Sequence, residues 1–284
     1  MGLPKLADRL EHVRKSPIRR VAALLAEARK KRDLISFGGG APSLPPPREV
    51  IEYLIERLRE EPQFSSSYGG TRGFLELREL ISEDLKRYAG IEPDPASEII
   101  LTDGATEGIF LSLMAIAGPG DEVIIMDPTY LGFSEAIRLC GARPVRLPVY
   151  VEEGFQPDIE RLKELIGPRT RGLILLSPDN PTGRVVERWR VKAITDLAAD
   201  HGFWVISDET YKHIVYEGEH TYTASLPGAW ENTLTVCTFS KTASIPGFRL
   251  GYAYGPPEII DAMEKLKQYT SLCPSTPAQL AMMA

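Results

Sequence analysis

Lys241 stands in the run T-F-S-K-T-A-S-I-P-G-F-R-L-G, Thr238 to Gly251, with hydroxyls at Thr238 and Ser240 before it and Arg249 eight positions after it. A lysine amine held among hydroxyls and glycine between two apolar runs can condense with a carbonyl. It does so when it is kept from bulk water and close to groups that bind the rest of the carbonyl compound. By itself such a lysine reads as a solvated residue between two strands, and its company elsewhere in the chain is what changes that reading.

The run D-G-A-T-E-G, 103–108, falls between a strand-like and a helix-like segment. Gly104 permits close backbone approach there, and the amides of Ala105 and Thr106 come at the open N-terminus of a helix, a position that attracts anions. Alone, this is ordinary turn chemistry. The run N-P-T-G, 180–183, follows an apolar strand ending at Ser177 and presents one free amide side chain beside an X-Pro bond that can be cis. Asp208 closes the strand F-W-V-I-S-D, and Tyr211 follows three residues later. A carboxylate at the C-terminal end of a buried parallel strand lies where open α/β sheets bind ligands, although a helix N-cap would look the same.

The elements that must position these groups are legible as alternating patterns. Apolar spacing predicts helices over 18–31, 48–60, 73–88, 105–117, 133–140, 158–166, 187–200 and 256–269, and strands over 99–102, 122–127, 144–148, 172–177, 203–208, 234–239 and 249–254. The runs V-I-I-M, L-I-L-L and F-W-V-I are nearly continuous, as strands buried on both faces must be. The expectation is an α/β fold of three layers, a mostly parallel, mixed sheet between helices. Leu34 to Phe37 reads as a brief extended piece, and Gly38 to Pro47 as a punctuated loop. S-T-P-A-Q-L-A-M-M-A, 275–284, opens a helical pattern with no stop signal, which leads to the expectation of a chain that is cut.

Composition narrows the function classes. A length of 284 residues suffices for one large α/β domain or two smaller ones, and a net charge of −6 without a Lys/Arg-rich face argues against nucleic acid as a partner. The basic cluster 29–32 ends a helix, where cations meet the negative end of the dipole. The three cysteines are far apart and not in C-x-x-C form, which disfavours a disulfide framework and a zinc site and points to a reducing, cytoplasmic setting. The four histidines form no H-E-x-x-H pair, so no metal is expected. No apolar run reaches membrane-spanning length and no signal-peptide core opens the chain, so a soluble protein without a membrane partner is expected.

Gly104 to Thr106, Tyr130 in D-P-T-Y, Asn180, Asp208, Tyr211, Lys241 and Arg249 follow successive strands of one sheet. In combination N-P-T-G, D-E-x-Y and S-K-x-x-x-x-P-G-x-R-x-G-Y resemble the class I/II aminotransferases, fold type I pyridoxal-phosphate enzymes of the aspartate aminotransferase kind, over essentially the whole chain. The resemblance implies pyridoxal 5'-phosphate as cofactor and transfer of an amino group between an L-amino acid and a 2-oxo acid by a ping-pong mechanism. It implies Lys241 as the Schiff-base and proton-transfer residue, Asp208 on the pyridine nitrogen, Asn180 and Tyr211 on the ring oxygen, and Tyr130 stacked on the ring. The phosphate falls to Gly104, Ala105, Thr106, Thr238, Ser240 and Arg249, and Gly40, with Asn180, lies near the substrate carboxylate. Tyr68 in S-Y-G-G resembles the tyrosine that reaches the phosphate from a neighbouring subunit, which implies a homodimer.

The same resemblance implies an N-terminal arm and part of a small domain over 1–45 and a large cofactor-binding domain over 46–284. The family continues for roughly another hundred residues, about one small domain, with an arginine for the substrate carboxylate, so the C-terminal small domain is expected to be missing here. Two further readings stay open on the residues: a C–S β-lyase or decarboxylase on the same fold, and the effector domain of a transcription regulator. The loop 38–47 does not separate acidic from aromatic or branched donors.

Overall fold

The computed structural model describes residues 4–30, 33–35 and 39–284. Ser36, Phe37 and Gly38, and Lys31 and Arg32 of the basic cluster, lie outside the described residues. Helices are α1 (Pro17–Arg29), α2 (Arg48–Glu60), α3 (Pro62–Ser65), α4 (Leu75–Ala89), α5 (Ala105–Ile116), α6 (Gly132–Leu139), α7 (Ile159–Leu165), α8 (Arg188–His201), α9 (Phe239–Thr242), α10 (Pro257–Lys267) and α11 (Thr276–Ala281). Strands are β1 (Ile99–Thr102), β2 (Glu122–Asp127), β3 (Arg143–Pro148), β4 (Thr170–Leu176), β5 (Trp204–Asp208), β6 (Thr233–Thr238) and β7 (Gly251–Tyr254).

These strands form one seven-stranded sheet in the order β1-β7-β6-β5-β4-β2-β3. β2, β3, β4, β5 and β6 pair in parallel, whereas β7 runs antiparallel to both β1 and β6. The sheet is mixed and mostly parallel, as the alternating pattern predicts. Successive side chains of a strand point to opposite faces, so each apolar run feeds two cores. Ile125, Ile174, Leu176, Ile206 and Val236 join Ile109 and Leu113 of α5, Ile137 of α6 and Met263 of α10 on one face. Ile124, Met126, Leu173, Leu175 and Val205 meet Leu162 of α7 and Val191, Ile194 and Ala198 of α8 on the other. A third cluster sets Leu77, Ile81 and Leu85 of α4 against Ile99, Leu101, Tyr252 and Tyr254 at the β1–β7 end.

The helix ends follow local chemistry. Asp158 caps α7 by accepting the amides of Glu160 (2.9 Å) and Arg161 (3.2 Å). Gly202 ends α8 with φ +70°, a left-handed position that suits glycine.

Two expectations change. The stretch around Lys241, read as a turn, contains the one-turn helix α9, because Thr238 Oγ1 accepts the Ser240 amide and starts a helical turn straight from β6. The last strand begins at Gly251 and not at Arg249, because Arg249 has φ +56°, which breaks the extended backbone two residues earlier.

Candidate active site

The parallel strands deliver Thr102, Asp127, Leu176, Asp208 and Thr238 to one edge of the sheet, and the antiparallel β7 starts from that edge. Gly251 pairs with Thr238 on one side and Thr102 on the other, which puts the phosphate-type turn beside the Lys241 turn. The close fit requires glycine: a Cβ at Gly251 would lie 2.5 Å from the Cys237 carbonyl oxygen and 3.0 Å from the Gly104 carbonyl carbon.

A cavity of about 340 Å³ opens at this edge, in the size range of small-molecule sites. Its lining includes Ala105, Thr106, Tyr130, Asn180, Asp208, Tyr211, Thr238, Ser240, Lys241, Arg249 and Gly40. Gly104 stands directly behind Arg249. A second cavity of about 360 Å³ lies on the other side of α9, among Val50, Leu77, Asp84, Lys212 and Met282. Thr210 and Thr238 face both, but Lys241, Asp208, Asn180 and Arg249 open only onto the first.

Tyr68 is the one sequence-predicted residue placed away from these groups, with 85% of its surface exposed on the stretch before α4.

Each polar group arrives with a defined environment. Lys241 Nζ donates to the Gly40 carbonyl and lies 5.9 Å from the centre of the Tyr211 ring. Burial, and then the charge of Arg249, push its pKa below the ordinary lysine value, which favours the neutral amine. Asp208 is buried at the end of β5 and accepts the Thr210 amide at 3.0 Å. Burial outweighs that hydrogen bond and raises its carboxyl to about 6.

Asn180, which precedes Pro181 through a cis peptide bond, donates its Nδ2 to the Tyr211 hydroxyl at 3.4 Å. Burial, followed by the nearby Asp208, holds the Tyr211 phenol above its ordinary value. The Tyr130 ring meets Phe133 edge-on at 5.4 Å and so stands as one wall of the cavity.

The opposite end is built for an anion. No side chain caps the N-terminus of α5, and its cap residue Gly104 has φ +80°. A Cβ at Gly104 would come within 2.5 Å of Arg249 Nη2, so the glycine leaves the space that the guanidinium fills. Arg249 is tied in place by the carbonyls of Pro246 (2.9 Å) and Asp103 (3.4 Å). Thr238 Oγ1 is engaged within the protein, accepting the Ser240 amide and donating to the Leu250 carbonyl at 3.0 Å. The hydroxyls of Ser240 and Thr106 complete this end of the cavity.

Gly104→Ala is expected to displace Arg249 and strain a left-handed position, weakening the binding of a phosphorylated ligand by roughly tenfold. Equilibrium titration of the apoprotein checks this; unchanged affinity would remove Arg249 from the anion site.

Residue types alone did not reveal the apolar walls formed by Ile109, Phe133, Leu176 and Pro246, or the amide of Thr210 on Asp208. Phe133 carried one signal, its spacing of three from Tyr130 at the start of a helix. Among the described residues no group of three or more His, Cys, Asp or Glu side chains is placed to hold a metal, and no helix is long and apolar enough to cross a membrane.

A lysine amine, a buried carboxylate and an arginine beside an uncapped helix N-terminus, all on one cavity, suit a pyridoxal-phosphate-dependent enzyme of the α/β class. The sequence profile of the class I and II aminotransferases matches residues 32–284, and the chain belongs to that family. It is 38% identical over 277 residues to the aspartate aminotransferase of Pyrococcus abyssi, spanning 97% of this chain and 70% of that protein. It is 36% identical to aromatic-amino-acid aminotransferase 2 of Thermococcus litoralis, with the same coverage of each chain. Among solved structures, the Thermus thermophilus aspartate aminotransferase with maleate superposes with a TM-score of 0.93 at 36% identity, over 99% of this chain and 72% of that one.

Proposed function

We propose that this chain transfers an amino group from an L-amino acid to a 2-oxo acid in two half-reactions, with Lys241 as the covalent attachment point and proton carrier. The observation that carries the assignment is the convergence of Lys241, Asp208 and Arg249, from different strand ends, on one cavity. The relatives' names divide between aspartate and aromatic amino acids, so the assignment is made at the level of the amino-acid class.

The residues fit pyridoxal phosphate. The uncapped end of α5 and the Arg249 guanidinium seated over Gly104 match a phosphate, while buried Asp208 matches a cationic ring nitrogen. When bound, the cofactor supplies an aldehyde that condenses with amines and a protonated ring that draws electrons from the carbon attached to them.

Lys241 Nζ, favoured as the neutral amine by burial and by Arg249, takes the proton from the donor's α-carbon and returns it on the other side of the transfer. The Asp208 carboxylate holds the proton on the ring nitrogen. Its own raised pKa is brought back down when that cation sits beside it. Asn180 and Tyr211, already hydrogen-bonded to each other, would bind the ring oxygen, and Tyr130, braced by Phe133, would contribute an aromatic wall for the ring. Ala105, Thr106, Ser240 and Arg249 would hold the phosphate, with Thr238 bordering it and fixing Ser240 through its hydroxyl, and Gly104 leaving room for the guanidinium. Gly40 and Asn180 flank the substrate carboxylate.

Residues 46–284 are assigned to the large cofactor-binding domain, and 1–45 to an N-terminal arm and part of a small domain. The exposed Tyr68 is the residue assigned to reach the phosphate of a second copy in a cytoplasmic homodimer.

The test is a single-turnover assay. Without an acceptor, an amino donor should release one 2-oxo acid per chain and stop, and adding an acceptor should restart turnover. Continuous release of ammonia from a sulfur amino acid would replace this reading with β-elimination.

A further inference from the structure

Lys267 does not line the cavity, yet it is the only lysine of α10 to be fully buried, with no exposed surface at all. Its Nζ donates to Glu107 Oε2 at 2.6 Å and to Ser271 Oγ at 2.7 Å, and lies 3.9 Å from Asp103 Oδ2. Glu107 is in the first turn of α5, and its Oε2 also accepts the Asp103 amide at 2.7 Å, while Ser271 donates to its Oε1. Asp103 in turn offers its carbonyl to Arg249. One buried cation thus ties together both ends of the turn that surrounds Gly104.

The arrangement has an electrostatic cost, and Lys267 is the cation that lies against both carboxylates. Two carboxylates, Asp103 and Glu107, stand beside the helix end that receives a phosphate, and in a partly buried setting like charges repel over several ångströms. Burial already raises the Asp103 carboxyl, with Lys267 as the main opposing influence. We infer that Lys267 is a positioning residue for the phosphate cradle: it neutralises Glu107 and fixes the 103–107 turn so that the α5 amides and Arg249 meet a phosphate and not a carboxylate. This rests on the assignment of that cradle to pyridoxal phosphate.

The test is a double-mutant cycle on the full chain, reading equilibrium affinity of the apoprotein for pyridoxal phosphate and, separately, for unphosphorylated pyridoxal. Lys267→Met should weaken pyridoxal phosphate by about tenfold or more, because Glu107 is left as an unpaired charge next to the phosphate. Glu107→Gln should stay within about threefold of wild type, and the double variant Glu107→Gln/Lys267→Met should recover to within about threefold, since the buried Glu107 charge is gone and the carboxylate that remains, Asp103, is 32% exposed and screened by solvent. Pyridoxal affinity should be unchanged throughout.

A double variant as weak as Lys267→Met, or an equal loss for pyridoxal, would make Lys267 a packing residue and overturn the inference. Should Lys267→Met fail to fold, the double variant alone decides, because it must bind pyridoxal phosphate like wild type. Failure of the wild-type protein to bind pyridoxal phosphate would instead overturn the assignment of the site.

Discussion

Lys241→Ala is expected to lower transamination by roughly four orders of magnitude or more, because the side chain is both nucleophile and proton carrier and general-base loss alone costs about 10²- to 10⁴-fold. Borohydride reduction should fix the cofactor on the wild-type peptide that contains Lys241 and leave the variant unlabelled. Lys241→Arg should be as inactive, since a guanidinium stays protonated and cannot take a proton from carbon. The neighbouring Lys212 supplies the control. It is more deeply buried than Lys241, its Nζ is bound to the Tyr252 hydroxyl at 2.9 Å, and its pKa is raised, which favours the cation. Label found on Lys212 would move the reactive amine to the other side of α9.

Asp208→Asn should separate stability from activity. The carboxyl is raised from 3.8 to about 6 in the folded chain. Between those values the folded state keeps a proton that the unfolded state has lost, so stability falls as pH rises through that window. Above pH 6 the loss is complete, about 3 kcal/mol at 1.36 kcal/mol for each unit. Removing the charge should therefore raise the melting temperature of the apoprotein at pH 8, with little change at pH 4. Turnover should drop by roughly 10²-fold or more, since a ring nitrogen without its carboxylate partner loses its proton. Addition of pyridoxal phosphate should narrow or reverse the stability gain, because its cationic nitrogen offsets the buried charge in the wild type alone. A variant that melts lower at pH 8, or one that keeps full turnover, would contradict the role given to Asp208.

Much of the sheet was legible because its strands are buried on both faces. Val123 to Met126 alternates between two cores, so no polar residue interrupts the run, and its boundaries follow directly. Asp208 was legible as the carboxylate that closes such a run, and Asn180 as the amide of the N-P-T-G turn that follows another. Arg249 was legible as a cation and not as a backbone feature: its left-handed φ goes with a guanidinium placed over Gly104, a residue far away in sequence. Lys267 was invisible. In E-K-L-K-Q it looks like any lysine of an amphipathic helix, and only the packing of α10 on α5 brings it to Glu107, 160 positions earlier.

The antiparallel pairing of β6 with β7 gives the loop between them a metric role. Lys241 and Arg249 leave and re-enter the same hairpin, whose ends are pinned by the Thr238–Gly251 register. The spacing between reactive amine and anion clamp is thus written in the length of one covalent segment, like the setting of a calliper. Adding or deleting a residue between Thr242 and Phe248 would reset that gauge without touching either group, and the enzyme would measure its cofactor wrongly while keeping every functional side chain it needs.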